Sequence, residues 1–250
     1  MKQEETKRIV PDAKTAVLFV HGIAGSPNHF RMLIPLEDLV PAQWSCCNVL
    51  IEGHGKRVED FSHSSMQAWK RHVFGVFEDL CRSHDNVIIV GHSMGTLFAL
   101  QMALQRPEKI PFVFLLDVPL RVGLRLFGVR NLIAYGFGKL DMADPLQAAT
   151  SMACSIAPTE KIWKYLGWIP RLLELLREMH ATSQILKELS VPAYAFQSRY
   201  DELVSSRSEK LLKNSGKVNV CTLQQSTHFY YGEEDVKSVR AAFSSLCPDV

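Results

Sequence analysis

The sequence predicts an α/β protein: a mostly parallel sheet with helices on both faces. Three observations carry this expectation. Short, continuous apolar runs recur along the chain, as strands buried on both faces require. Segments of helical length separate them. The third is a serine flanked by glycines at the joint of one such run with a helix, in "IIVGHSMGTLFAL", residues 88–100.

The elements follow in order. Residues 16–20 ("AVLFV") form the first apolar run, and 47–51 a weaker one. The runs 87–90, 112–116, 193–196 and 218–223 complete the strand candidates. Helical patterns occupy 28–39, 65–82, 93–105, 205–213 and 234–246. In the third of these, Leu97, Leu100 and Leu104 fall on one stripe, and the pattern stops before Pro107. From 120 to 189 no strand is evident. A structureless loop of that length is uncommon, so the segment reads as a helical insertion. The expected organisation is a core of residues 1–119 and 190–250, interrupted by a helical cap at 120–189.

Composition narrows the function classes. Of 250 residues, 47% are hydrophobic and 22% charged, and the net charge is +2, which offers nothing to nucleic acid. No apolar run reaches the ~18 residues of a membrane span. Residues 1–8 are polar and charged, unlike a secretory signal. Cys46, Cys47, Cys81, Cys154, Cys221 and Cys247 show no metal-site spacing, and a cytoplasmic location with reduced thiols is expected. Function must therefore be sought in a site.

Gly91-His92-Ser93-Met94-Gly95 fits Gly-x-Ser-x-Gly, a tight strand-to-helix turn that presents the central hydroxyl above the carboxyl edge of the sheet. By itself the pentapeptide is a weak signal, and a turn serine that satisfies backbone amides is the simpler reading. A hydroxyl nucleophile needs a base, and the base needs an orienting carboxylate. "QSRYDELV" puts Asp201 after one strand and "QQSTHFYY" puts His228 after the next. Parallel strands carry both loops to the edge that holds Ser93, so three distant residues converge by topology. Glu202, and Asp117 in "LLDVP", are the rival acids; Asp117 is expected to brace the start of the insertion. His21, His54 and His92 lie in glycine turns and read as structural. The Met94 amide, beside the nucleophile, and the Ile23 amide, in "VHGIAGSP", are the expected oxyanion donors.

With "HGIAGSP", "IEGHGKRVED", "GHSMG", "QSRYDELV" and "STHFYY" in this order, the chain resembles α/β-hydrolases of the bacterial carboxylesterase and monoacylglycerol lipase-like type, from about residue 16 to 231. Lys56 departs from the serine that relatives often carry there. The resemblance implies an α/β-hydrolase fold with a helical cap and a serine esterase that cleaves small-molecule carboxylic esters through an acyl-enzyme, with Ser93, Asp201 and His228 as its triad. It calls for no metal and no cofactor. A thioesterase, an amidase, a carbon–carbon hydrolase, a haloperoxidase-like side activity or a ligand receptor with slow hydrolysis would use the same residues. Leu126, Phe127, Phe137, Trp163, Trp168, Ile169 and Leu172 suffice to line an apolar or aromatic acyl pocket. The apolar pattern at 162–176 could also serve transient membrane contact. Oligomeric state has no signature in the sequence.

Overall fold

The computed structural model describes residues 4–247. Seven strands form one sheet: β1 (Thr6–Arg8), β2 (Thr15–Val20), β3 (Ser45–Val49), β4 (Asn86–His92), β5 (Val113–Leu116), β6 (Ala193–Ser198) and β7 (Val218–Leu223). Their order is β1-β3-β2-β4-β5-β6-β7, and only the β1–β3 pair is antiparallel. The chain leaves β2 toward β3 on one side and returns to β4 on the other. The loops after β2 and β4 therefore flank the point where the winding reverses, where open α/β sheets form their crevice.

The continuous apolar strands are buried on both faces. Along β2, Ala16, Leu18 and Val20 enter one core cluster while Val17 and Phe19 enter the other. The first cluster is closed by α2 (Met66–Ser83) and α3 (Met94–Gln105), which bring Trp69, Val73, Phe77, Leu97 and Phe98. The second is closed by residues 29–39 and by α8 (Glu233–Leu246), which bring Phe30, Ile34, Val239 and Phe243. Each such fully buried side chain is worth about 1.5–3 kcal/mol of transfer free energy. α1 (Val58–Ser62) and α7 (Ser206–Ser215) complete the helices outside the long β5–β6 connection.

Two expectations need correction. The helix read over residues 28–39 is instead a π-helical turn at His29–Leu33 and a 3-10 turn at Glu37–Leu39. Pro35 lies between them; it has no N–H to continue a helix and keeps Ile34 out of the helical region, at φ −134° and ψ 84°. The second concerns the β5–β6 connection. It carries α4 (Leu126–Gly136), α5 (Pro145–Ala153), a 3-10 helix (Ile162–Gly167) and α6 (Trp168–Ile185). Leu126, Trp163, Ile169 and Leu172, offered above as pocket lining, face outward, with Leu126 90% exposed. Trp168 packs on Phe61 and Tyr165, at ring-centroid distances of 4.6 and 5.1 Å. Only Phe127 and Phe137 of the seven stay half-buried without such a partner, and neither borders the cavity described below.

α4 and α5 lie over the carboxyl edge of the sheet. Ala149, Ala153 and Cys154 pack with Phe229, alongside Leu132, Tyr135, Leu203 and Tyr230. α6 crosses α2 and α3 instead, through Met179 and a set of polar bonds. Among the described residues no helix is long and apolar enough to cross a membrane.

Candidate active site

Ser93 sits between β4 and α3 with φ 50° and ψ −122°, a left-handed conformation that costs a non-glycine residue on the order of 1–3 kcal/mol. Its neighbours permit the turn only because they lack side chains. A Cβ on Gly95 would lie 2.0 Å from the Val20 carbonyl oxygen, and one on Gly91 would lie 2.7 Å from the Thr96 nitrogen. The turn is fixed from below: the Ser93 N–H donates to Leu116 O at 2.9 Å, and Thr96 N–H and Oγ1–H both donate to Ser93 O.

The three residues picked from the sequence meet. Ser93 Oγ lies 3.1 Å from His228 Nε2, and His228 Nδ1 lies 2.8 Å from Asp201 Oδ2. The second oxygen of Asp201 accepts the Leu203 and Val204 amides, each at 2.7 Å, which fixes the carboxylate. All three side chains are buried. Burial alone would strip the proton from His228; the neighbouring Asp201, with Asp117 and Glu202, outweighs it and raises the imidazole to about 9.

The loop after β2 comes against Ser93. A Cβ on Gly22 would stand 2.8 Å from Ser93 Cβ, so only glycine lets this loop approach so closely. The Ile23 and Met94 amides donate to no acceptor among the described residues. Met94 begins α3, so its N–H is an orphan donor at the positive end of the helix. Ala24, at φ 54°, follows Ile23 and is held by its own N–H, which donates to His54 Nε2 at 3.1 Å. His21 accepts the Ile51 amide, and His92 Nε2 donates to His228 O at 3.2 Å. Burial pushes the His21, His54 and His92 pKa values down, His21 to about 4, so these rings are neutral hydrogen-bonding partners, as the glycine turns suggested.

Four further groups, Glu202, Asp117, Tyr231 and His29, complete the surroundings. Glu202 is not an alternative acid on the imidazole; its Oε2 accepts the His228 backbone N–H at 2.9 Å. Asp117 does not brace the insertion. It turns inward, accepting Ser198 N–H at 2.7 Å and Tyr231 O–H at 3.1 Å, and Tyr231 in turn lies 3.0 Å from His29 Nε2. Burial, then the nearby Asp201 charge, raise the Asp117 carboxyl to about 8, so it is protonated at neutral pH. His29 stacks on His92 at 3.5 Å between ring centroids. Adjacency to Asp201 marked Glu202 and a strand end marked Asp117, but nothing in the spacing indicated Tyr231 or His29. His92, Asp117 and His228 also bring ligand-type atoms within 4.8 Å of one another. Both oxygens of Asp117 and both nitrogens of His228 are engaged by protein groups, so this cluster is a hydrogen-bond network in the present arrangement.

A cavity of about 540 Å³ opens beside the loop after β2, bordered by Met32, Tyr135, Leu140, Met142, Met152 and Ile156, with Asn28 and Ser155 among its polar groups. Ser155 ties this wall to the loop: its N–H donates to Ala24 O at 2.8 Å, and its Oγ accepts the Gly55 N–H at 3.1 Å.

The chain matches the model of the Alpha/beta hydrolase family over residues 17–242. A carboxylesterase of Bacillus subtilis (strain 168) is 22% identical over 204 residues, covering 80% of this chain and 77% of that protein. Among solved structures, one from a study of the metagenome-derived lipolytic enzymes LipS and LipT superposes with a TM-score of 0.74 at 19% identity, over 98% of this chain and 97% of the other. The monoacylglycerol lipase of Paleococcus ferrophilus superposes with a TM-score of 0.68 at 17% identity, over the whole of both chains.

Proposed function

Since the chain belongs to the Alpha/beta hydrolase family, we propose that it is a serine hydrolase of carboxylic esters, with Ser93, His228 and Asp201 as its triad. The observation that carries the proposal is the relay of 3.1 and 2.8 Å from Ser93 Oγ through the imidazole to Asp201. His228 takes the hydroxyl proton as Ser93 attacks the ester carbonyl, and Asp201 holds the tautomer and stabilises the imidazolium. The Ile23 and Met94 amides receive the developing oxyanion; their lack of other acceptors supports this role. The alcohol leaves with the proton from His228. Water, deprotonated by the same base, then attacks the acyl-enzyme and releases the acid. No step draws on a cofactor.

The helices at 120–189 act as a cap on a core formed by 1–119 and 190–250; the packing of α4 and α5 on Phe229 supports this division. The methionine-rich cavity beside Ala24 supports an apolar acyl or aromatic acyl group, since unbranched thioether side chains adapt to varied apolar shapes. A cytoplasmic location remains part of the proposal, on the cysteine spacing.

The test is a fluorophosphonate label followed by a panel of p-nitrophenyl esters of increasing acyl length, with a thioester and an anilide beside them. Labelling at Ser93 and hydrolysis of the apolar esters are expected, both absent in Ser93→Ala. Faster thioester or anilide cleavage would reassign the substrate while keeping the triad, and full ester turnover by Ser93→Ala would overturn the proposal.

A further inference from the structure

α6 packs Trp168, Leu175 and Met179 on the core, and three of its charged side chains, Arg171, Glu174 and Glu178, face the protein beside them. Arg171 donates to Ser62 O at 3.0 Å and to Ser64 O, Glu174 accepts the Met66 N–H at 2.9 Å, and Glu178 pairs with Lys70 at 2.7 Å. A second apolar face is left open to solvent: Ile169, Leu172, Leu173 and Leu176 are each about half exposed, and the preceding turn adds Ile162, Trp163 and Leu166. Solvent-facing leucines contribute nothing to the folding of one chain, and charges turned inward must be desolvated. An apolar face on the outside as well as the inside makes physical sense where the outer one is covered.

We propose that a second copy of this chain covers it, the two α6 helices packing antiparallel across a twofold axis. Two observations select this occupant. The first is spacing: within α6, Ile169, Leu173 and Leu176 follow one another at four and three residues, the narrow seam that meshes with another helix, and Leu166 extends the apolar ridge from the 3-10 turn before it. The second is extent. The seven apolar side chains expose on the order of 700 Å², above the roughly 300–600 Å² of the largest patch on a typical monomer and close to the about 800 Å² per partner of a stable interface. A lipid surface fits less well, because helices that lie on membranes display lysine and arginine beside the apolar face. Here Lys164 is bound to Glu59, Arg171 is turned to the Ser62 and Ser64 carbonyls, and Arg57 at the start of α1 is paired with Asp60, while Lys161 and Arg177 stand exposed at the two ends of the ridge. A twofold axis makes the contact isologous and closes it at two chains.

Sedimentation equilibrium of the full chain, at micromolar to high micromolar concentration, tests this directly. The wild type is expected at twice its 28.2 kDa mass. The double variant Leu173→Glu, Leu176→Glu places like charges across the seam and is expected to raise the dissociation constant about a hundredfold or more, with an unchanged circular dichroism spectrum because both positions face solvent, and with a thermal midpoint that no longer rises with protein concentration as the wild type's does. Leu173→Cys with a short bis-maleimide should give a covalent dimer; the wild type, whose exposed cysteine is Cys221 on β7, serves as the control. A wild type that stays monomeric throughout, a dimer untouched by the two glutamates, or no cross-linking of Leu173→Cys above the control would each overturn the proposal. So would a monomer that co-floats with phosphatidylcholine vesicles, which would assign the face to lipid.

Discussion

The carboxyl edge of the sheet and the β5–β6 connection solve the problem of buried charge in opposite ways. At the edge, Asp117, Asp201 and Glu202 are all buried around one imidazole, and each accepts a backbone N–H as well as facing His228. In the connection, Arg171, Glu174 and Glu178 are spent on holding α6 to α1, α2 and the turn between them, while Ile169, Leu172, Leu173 and Leu176 are left outside. The edge is built for fixed geometry within one chain, so its substitutions should be severe and local. The outer face of α6 is built for contact, so its substitutions should hardly register in an isolated chain.

The sharpest difference is expected for Asp201→Asn. It keeps the size of the side chain but favours the wrong imidazole tautomer, and kcat/KM on esters should fall about 10³-fold or more. A loss below tenfold would mean that Asp117 or Glu202 can take its place. Next comes Gly95→Ala. Its Cβ would have to share space with Val20 O at 2.0 Å, so β2 and α3 must separate. A loss of about 3 kcal/mol or more in a urea titration is expected, by the overpacking and strain mechanisms.

Asp117→Asn probes the edge by pH. Ester hydrolysis needs neutral His228, so kcat/KM should climb through neutral pH toward the His228 value of about 9. Removing the Asp117 charge should move that limb to lower pH, by up to about one unit. Stability should change as well. The carboxyl is raised to about 8 in the fold against an ordinary 3.8, so its favourable contribution is complete below 3.8 and is lost as pH rises through 8. The asparagine variant should therefore gain melting temperature over the wild type at pH 8 more than at pH 4. Equal differences at both pH values would show that Asp117 does not titrate in this range.

The smallest effect is expected for Trp163→Ala, 62% exposed, which should change monomer stability by no more than about 0.5 kcal/mol. Trp168→Ala, which removes the ring packed at a tilt on Phe61 at 4.6 Å, should cost about 2–4 kcal/mol. Equal losses for the two would erase the contrast between the packed and the open side of the connection.

Much of the edge was legible in the sequence because strand topology does the positioning. Apolar runs ending in Gly91-His92-Ser93, "YDELV" and "STHFYY" fix which residues reach the same edge, whatever lies between them. The antiparallel β1 was missed, since three residues, "TKR", carry no apolar alternation. The network of Asp117, Tyr231 and His29 was missed because it depends on how side chains cross between loops. In α6 the apolar stripe was visible, yet its direction was not. Arg171, Glu174 and Glu178 repeat as regularly as the leucines, and periodicity marks two faces without saying which one turns inward.

The central claim is that Ser93 carries the acyl group, and quenched intact-mass spectrometry tests it most directly. With an activated apolar ester in excess, a species heavier by one acyl group is expected within the first turnovers, with the adduct on the peptide that holds Ser93 and no adduct in Ser93→Ala. An acyl group found on another residue, or steady ester hydrolysis by Ser93→Ala, would contradict the account.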